Sequence, residues 1–179
     1  MDIKSLTIYC SSSSKLSKEF YKISDDIGYF LAKKSIKIIY GGAKLGMMGR
    51  VSRASFINGG KVIGIIPKFL SDKEKISFDT TKTIIVKNMS MRKKKLFDMG
   101  DAYLILPGGS GTIEEATEVI SWKIIGLHNK EIIIFNHNNF WKPLLDMYEN
   151  IKNNNFGNKN LQNIFKHVSN FQEFKKIFP

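Results

Sequence analysis

The sequence of 179 residues has little of what would mark a secreted or membrane-bound protein. A single cysteine, Cys10, excludes an internal disulfide, so a reducing cytoplasm is the expected compartment. The longest apolar runs, residues 102–106 and 132–135, are too short to span a bilayer, so we expect no membrane partner. The three histidines lack the spacing of metal ligands, so neither a metal nor another cofactor is expected. The length favours one domain covering residues 1–179.

Arginine is also scarce, although the formal net charge is +12. Only three of the 28 basic residues are arginine, namely Arg50, Arg53 and Arg92, and the lysines are scattered apart from the run 93–95. A scattered lysine excess is typical of a solvated surface, so nucleic acid is not an expected partner. The charge would instead help to attract an anionic small-molecule substrate.

Strand-like and helix-like segments alternate along the whole chain. Short β-branched strands separated by helices predict a doubly wound α/β domain, with a mainly parallel sheet covered by helices on both faces. Ligands bind outside the carboxyl ends of the strands in such sheets. The predicted strands are 6–9, 36–40, 62–66, 83–86, 102–106 and 132–135. The predicted helices are 17–34, 47–58, 89–99, 112–125 and 140–152, and residues 164–179 predict a last strand followed by a short helix from Asn170.

Two polar or glycine-rich turns follow the first two strands. The turn that contains Ser11 either holds a phosphate or ribose, or is a polar loop before a helix cap at Ser17. The turn at residues 41–49 contains Gly42 but no G-x-G-x-x-G pattern, and no acidic residue follows where a dinucleotide ribose would need it. A classical NAD site is therefore not expected, although the glycines permit close approach of the backbone to a ligand.

The third turn, residues 107–112, predicts an anion site most strongly. We call it the glycine loop; its sequence is PGGSGT, and it leads from a strand into a helix. The free N–H groups and the positive dipole end of a helix start favour a phosphate. No Gly-Lys-Ser/Thr follows, so it is not a Walker A loop. We expect phosphate contacts from Gly108, Gly109, Ser110, Gly111 and Thr112.

Arg92 and Glu115 each allow two interpretations. Arg92 shares a helical face with apolar residues such as Leu96, and an arginine there needs an anionic partner, either a structural carboxylate or a ligand. Glu115 stands three residues after Thr112, a spacing that by itself favours a capping box over a catalytic role.

The helix that carries Glu115 has a predicted core face and a predicted outer face. The expected core positions are Ile113, Ala116, Thr117, Ile120 and Ile124. Glu115, Glu118 and Trp122 are expected on the opposite side. A tryptophan on an outer face predicts that another copy of the chain covers it, so we expect a homodimer.

These motifs together resemble the "Lonely guy" family of cytokinin riboside 5′-monophosphate phosphoribohydrolases, once misnamed lysine decarboxylases. The likeness runs from about Leu6 to Tyr148. It is carried by Met91-Arg92-Lys93, Asp101-Ala102-Tyr103, Pro107 through Glu115, Tyr40-Gly41-Gly42, Gly46-Met47-Met48-Gly49, Val62 through Lys68 and Trp122 through His128. The resemblance implies a dimeric, Rossmann-like hydrolase that cleaves (N6-prenyl)adenosine 5′-monophosphate into an adenine-type base and ribose 5-phosphate.

The resemblance also implies roles for individual residues. Arg92 and Glu115 match the catalytic pair, and Lys93, Glu114 and the glycine loop match substrate contacts. Glu74 and Ser121 stand where the family has further substrate contacts. Three positions depart from the family pattern, Ala43, Ser90 and Ser110. Of these, Ser90 and Ser110 bear on base preference more than on reaction type. A non-catalytic nucleotide-binding or molybdenum-cofactor carrier protein of the same fold is the alternative.

Overall fold

The computed structural model describes residues 3–71, 79–156 and 163–178. The strands within these ranges are β1 (Ser5–Tyr9), β2 (Lys37–Tyr40), β3 (Val62–Pro67), β4 (Lys82–Val86), β5 (Ala102–Ile105), β6 (Glu131–Phe135) and β7 (Lys166–Val168). The helices are α1 (Lys18–Lys33), α2 (Gly46–Ile57), α3 (Lys68–Ser71), α4 (Met89–Met99), α5 (Ser110–Ile124), α6 (Lys142–Asn153) and α7 (Phe171–Lys176), with a 3₁₀ helix at His137–Asn139.

The described strands form one parallel sheet in the order β4-β3-β2-β1-β5-β6-β7. The predicted α/β class with a parallel sheet and helices is therefore confirmed. The chain steps outward from β1 in one direction up to β4, then returns to the other side of β1 to form β5. Ligand sites in open α/β sheets lie at such a reversal of strand order.

The reversal brings two predicted ligand-binding segments together. In register, Ile8 of β1 lies opposite Tyr40 of β2 and Leu104 of β5, so all three strands end at the same edge. Beyond that edge, the N–H of Ser11 donates to the carbonyl of Pro107 at 3.1 Å. The serine turn after β1 and the glycine loop after β5 are therefore neighbours.

Apolar side chains pack on both faces of the sheet. On one face, β1 residues such as Leu6 and Ile8 pack with α1, α2 and α7. On the other face, Tyr9 and Ile105 pack with residues of α4, α5 and α6. This division explains why the central strands read as continuous apolar runs. None of the helices in the described ranges is long and apolar enough to cross a membrane.

Helix α5 corrects two expectations. It begins at Ser110 with Gly109 as its N-cap and no side-chain cap, so Thr112 lies inside the first turn and is not a cap residue. Glu115, expected on the outer face, is buried, whereas Ile113, expected in the core, is 43% exposed. Because the first turns of α5 face a cavity, the buried stripe runs through Thr112, Glu115, Ala116, Val119 and Ile120.

Candidate active site

A cavity of about 390 Å³ lies at the carboxyl ends of β1, β2 and β5, where the strand order reverses. Its volume lies within the range of small-molecule sites. The serine turn after β1 and the glycine loop form a polar side, and Arg92 and Glu115 lie between this side and an apolar one. We call it the switch-point cavity. The apolar side is lined by Ala43, Met48, Leu70 and Met89.

The start of α5 provides an anion-binding surface at this cavity. The first N–H groups of a helix have no intrahelical acceptor, and Gly109 offers no side chain to cap them. A Cβ added at Gly109 or Gly111 would meet no other atom within 4 Å, so both positions leave open space. By contrast, a Cβ at Gly108 would overlap the side chain of Thr112, which is packed against the loop. The glycine loop therefore exposes backbone N–H groups to the cavity, as a phosphate requires.

Arg92 and Glu115 form a buried ion pair at the cavity wall. The distance from Arg92 Nη1 to Glu115 Oε1 is 3.4 Å, and the residues are 8% and 5% exposed. Among the described residues, neither Arg92 Nε nor Glu115 Oε1 has a hydrogen-bond partner. Buried polar atoms are normally satisfied, so this pair has spare donor and acceptor capacity directed at a ligand site. The capping interpretation of Glu115 finds no support, because the carboxylate pairs with Arg92 instead.

Burial raises the pKa of Glu115 from 4.5 to about 7. The Arg92 guanidinium opposes this change, while the neighbouring carboxylates of Glu114 and Glu118 add to it and Lys93 lowers the pKa. A carboxyl group with a pKa near neutrality is suited to proton transfer at physiological pH. Burial also raises the pKa of the Cys10 thiol, which lines the same cavity and is therefore a poor nucleophile.

The predicted site residues fall into two groups. Ser11, Gly109, Ser110, Gly111, Thr112 and Glu114 line the switch-point cavity with Arg92 and Glu115. Gly42, Lys93, Gly108 and Ser121 are not among the described residues that line it. Gly42 has a φ of +80° and lies beside Ile66. Glu74 lies outside the described residues, so its predicted role is a prediction only.

Lys93 on α4 lies between the carboxylates of two glutamates on α5. Its ammonium group donates to Glu114 Oε1 at 2.8 Å and to Glu118 Oε1 at 3.0 Å. The hydrogen bond to Glu114 raises the pKa of Lys93 most, and the hydrogen bond to Glu118 raises it further. The lysine thereby links α4 to α5 and offsets two negative charges close to Glu115.

The apolar wall of the cavity was missed by the sequence analysis. Met48 stands within a quoted motif and Met89 begins the predicted helix 89–99, but neither was assigned a role. The sequence did contain a signal for Met89 as a neighbour of Arg92, because Met89 lies three residues before Arg92 and so shares its helical face. In the structure Arg92 Nη1 lies 3.9 Å from Met89 Sδ. No comparable local signal points to Leu70.

Lysine and metal chemistry receive no support from the described residues. No lysine is among those that line the switch-point cavity, and no group of three or more His, Cys, Asp or Glu side chains is placed to hold a metal ion. His128 is held by the backbone, since its Nε2 lies 2.8 Å from the carbonyl of Val119.

A second surface on α4 and α5 carries exposed apolar side chains. Trp122 contacts Phe97 edge-to-face with ring centroids 4.7 Å apart, and Leu127 beside them is 63% exposed. We call this surface the Trp122 face; it surrounds a shallow depression lined by Ser90, Lys93, Lys94, Phe97, Glu118, Trp122 and Leu127.

Comparisons with known proteins identify the family of the chain. A family model described as "possible lysine decarboxylase" matches residues 48–177. A cytokinin riboside 5′-monophosphate phosphoribohydrolase of Rhodococcoides fascians is 35% identical over 147 residues, which cover 82% of this chain and 74% of the relative. A protein of the same name from Arabidopsis thaliana is 33% identical over 170 residues, covering 95% of this chain and 75% of the relative.

Solved structures show the same fold at lower identity. A molybdenum cofactor binding protein from the phototrophic bacterium Rippkaea orientalis has a TM-score of 0.71 and 17% identity, covering 100% of this chain and 99% of that one. A molybdenum cofactor carrier protein from Chlamydomonas reinhardtii has a TM-score of 0.68 and 12% identity, covering 97% and 94%. Similarity at this level of identity establishes the fold alone.

Proposed function

The chain belongs to the family of possible lysine decarboxylases that includes cytokinin riboside 5′-monophosphate phosphoribohydrolases, and from that membership we propose how its own residues perform the reaction. It is a phosphoribohydrolase, a hydrolase that cleaves the N-glycosidic bond of a nucleoside 5′-monophosphate. The products are an adenine-type base and ribose 5-phosphate. The word decarboxylase in the family description has no counterpart among the described residues, since none of those lining the cavity is a lysine.

The 5′-phosphate binds at the start of α5 in this proposal. Open space at Gly109 and Gly111 lets the phosphate approach backbone N–H groups, and the helix dipole favours its charge. Ser11 and Thr112 add hydroxyl groups on either side. Binding energy from the phosphate fixes the sugar for reaction at its other end.

The sugar lies over Glu115. Glu115 lies four positions after Gly111, which corresponds to about 6 Å along the helix axis at 1.5 Å per residue. A ribose 5-phosphate spans such a distance from its phosphate to C1′. The glycosidic bond therefore reaches the buried carboxylate when the phosphate occupies the glycine loop.

Glu115 is the catalytic carboxylate and Arg92 its partner. Cleavage of the bond between C1′ and the base builds positive charge on the ribose, which an ionised Glu115 stabilises. Glu115 also removes a proton from the attacking water, so that oxygen from water replaces the base at C1′ and the proton taken from water ends on the released base. Arg92, with Nη1 3.4 Å from the carboxylate, favours its ionised form and orients the substrate. Met48, Leu70 and Met89 receive the base on the apolar side.

One observation carries the proposal: a buried carboxylate with a pKa of about 7 lies beside an arginine in a cavity that opens onto a glycine-capped helix start. The test is incubation of purified protein with N6-prenyladenosine 5′-monophosphate, adenosine 5′-monophosphate and the two nucleosides, with chromatographic detection of base and ribose 5-phosphate. Rapid release from the monophosphates and slow release from the nucleosides is expected. Tight binding of nucleotide or molybdenum cofactor without any release would contradict the proposal and support a carrier.

We further propose a homodimer formed through the Trp122 face, in the cytoplasm. The exposed apolar residues Leu127 and Ile125, 63% and 68% exposed, support a covered surface. The single buried thiol, Cys10, supports a reducing compartment.

A further inference from the structure

Gly41, at the carboxyl end of β2, lies directly beside the guanidinium of Arg92. A Cβ added to Gly41 would overlap Arg92 Nη2 and would lie 3.2 Å from Met48 Sδ. The backbone of Gly41 does not require glycine, because its φ lies outside the left-handed region, unlike that of Gly42 at +80°. The missing side chain at position 41 therefore provides space rather than backbone freedom.

The guanidinium is held mainly by the shape of this space. Nη2 lies against Gly41, and Nη1 lies 3.9 Å from Met89 Sδ and 3.4 Å from Glu115 Oε1. Arg92 Nε, which is buried, has no hydrogen-bond partner among the described residues. With so few directional bonds, the position of the cation depends on the side chains and the bare backbone that surround it.

From these contacts we infer that Gly41 is a positioning residue, whose lack of a side chain sets the distance between the Arg92 guanidinium and the Glu115 carboxylate. The inference rests on the proposed function, since it assigns Gly41 a part in the same reaction. A methyl group at position 41 would displace the guanidinium from the space beside the backbone of Gly41. The obstacle is the end of a flexible side chain, so the fold itself can accommodate alanine.

The expected effect of Gly41→Ala is a loss of activity of about 10- to 100-fold in kcat/KM, because misplacement of a catalytic group by about 1 Å can cost that much. The pH profile should also change. Moving the cation away lets burial raise the pKa of Glu115 further, so the acid limb of kcat/KM should move to higher pH. The other charged or titratable groups near Glu115 are Lys93 on α4, Glu114 and Glu118 on α5, and Tyr9 and Cys10 at the end of β1. Gly41→Ala leaves all of them in place.

Gly60→Ala is the matched control for general strain. Gly60 lies in the connection between α2 and β3, and a Cβ added there would overlap Ser55 Oγ of α2. Like Gly41, Gly60 lacks a left-handed φ. Its substitution should lower the melting temperature at least as much as Gly41→Ala does, yet leave the acid limb where it is in the parent protein. A matching shift of the acid limb in Gly60→Ala would overturn the inference.

A double-mutant cycle with Arg92→Ala closes the test. Removing the arginine side chain vacates the space, so adding Gly41→Ala to Arg92→Ala should change the residual kcat/KM by less than about twofold, against the 10- to 100-fold loss in the parent. The double variant should also fold even if Gly41→Ala alone does not. An equal loss in both backgrounds, or a double variant that fails to fold, would show that position 41 acts independently of Arg92.

A crystal structure of Gly41→Ala separates this inference from the proposed function. The distance from Arg92 Nη1 to Glu115 Oε1 should exceed the 3.4 Å of the parent. If the parent protein released no base, the proposed function would fail while this distance still tested the role of Gly41. An unchanged distance would overturn the inference whatever the activity.

Discussion

Replacing Glu115 by glutamine should make the protein more stable at alkaline pH. The carboxyl group has a pKa of about 7 in the folded chain and 4.5 as its ordinary value. The folded state therefore holds the proton more tightly than the unfolded state, and between these two pH values it binds more protons. The free energy of unfolding must fall as pH rises through this window.

The magnitude follows from the same two values. Each pH unit between them corresponds to about 1.4 kcal/mol, so the parent protein loses about 3 kcal/mol of stability between pH 4.5 and pH 8 through this group. A neutral glutamine does not titrate and so avoids the loss. Glu115→Gln should match the parent near pH 4.5 and exceed it by up to about 3 kcal/mol at pH 8, or by roughly 5–10 °C in melting temperature.

Urea denaturation at several pH values between 4.5 and 8 measures this difference, with protein concentration held constant because an oligomer's stability depends on it. Glu149→Gln is the matched control, since its side chain on α6 is 65% exposed and its charge is not among those that act on Glu115. Its free energy of unfolding should change with pH in the same way as that of the parent. If the free energies of unfolding of Glu115→Gln and of the parent changed with pH in the same way, Glu115 would not be desolvated and this prediction would be wrong.

Two further predictions concern Arg92 and assembly. Arg92→Ala should lower kcat/KM by about 10²-fold or more while the protein stays folded, because the substrate and Glu115 lose an orienting cation; near-normal kinetics would remove Arg92 from the mechanism. Trp122→Glu should convert a dimer into a monomer in sedimentation velocity at micromolar concentration, because it places a charge in the centre of the Trp122 face; a parent protein that is already monomeric would contradict the proposed interface.

Most of the fold was predictable because its signals are local. The alternation of short apolar strands with helices predicted boundaries for the strands and helices between residues 6 and 152. Each predicted boundary lies within two residues of the one in the structure. Helix α3 and the 3₁₀ helix at His137–Asn139 were missed, since a single turn carries no periodic pattern. The strand order that joins the serine turn to the glycine loop follows from tertiary pairing, which single-sequence patterns do not encode.

Several of the predicted site residues line the switch-point cavity, but their surroundings could not be predicted from the sequence. Arg92 on an apolar stripe indicated an anionic partner, and the structure supplies Glu115 at 3.4 Å. The orientation of α5 was wrong because helical periodicity cannot tell a core from a cavity, so Glu115 and Ile113 were assigned to the wrong faces. The bridge from Lys93 to two carboxylates crosses between helices, and sequence spacing carries no information about such a contact.

The most direct test of the mechanism is the rate at which Glu115→Gln releases base from N6-prenyladenosine 5′-monophosphate. Glutamine keeps the size of the side chain but removes the charge that stabilises the ribosyl cation and accepts the proton from water. At pH 8, kcat should fall by about 10²-fold or more while the protein stays folded. Glu118→Gln makes the same chemical change one turn further along α5 and should remain active. A Glu115→Gln protein that turns over at the parent rate would exclude Glu115 as the catalytic carboxylate.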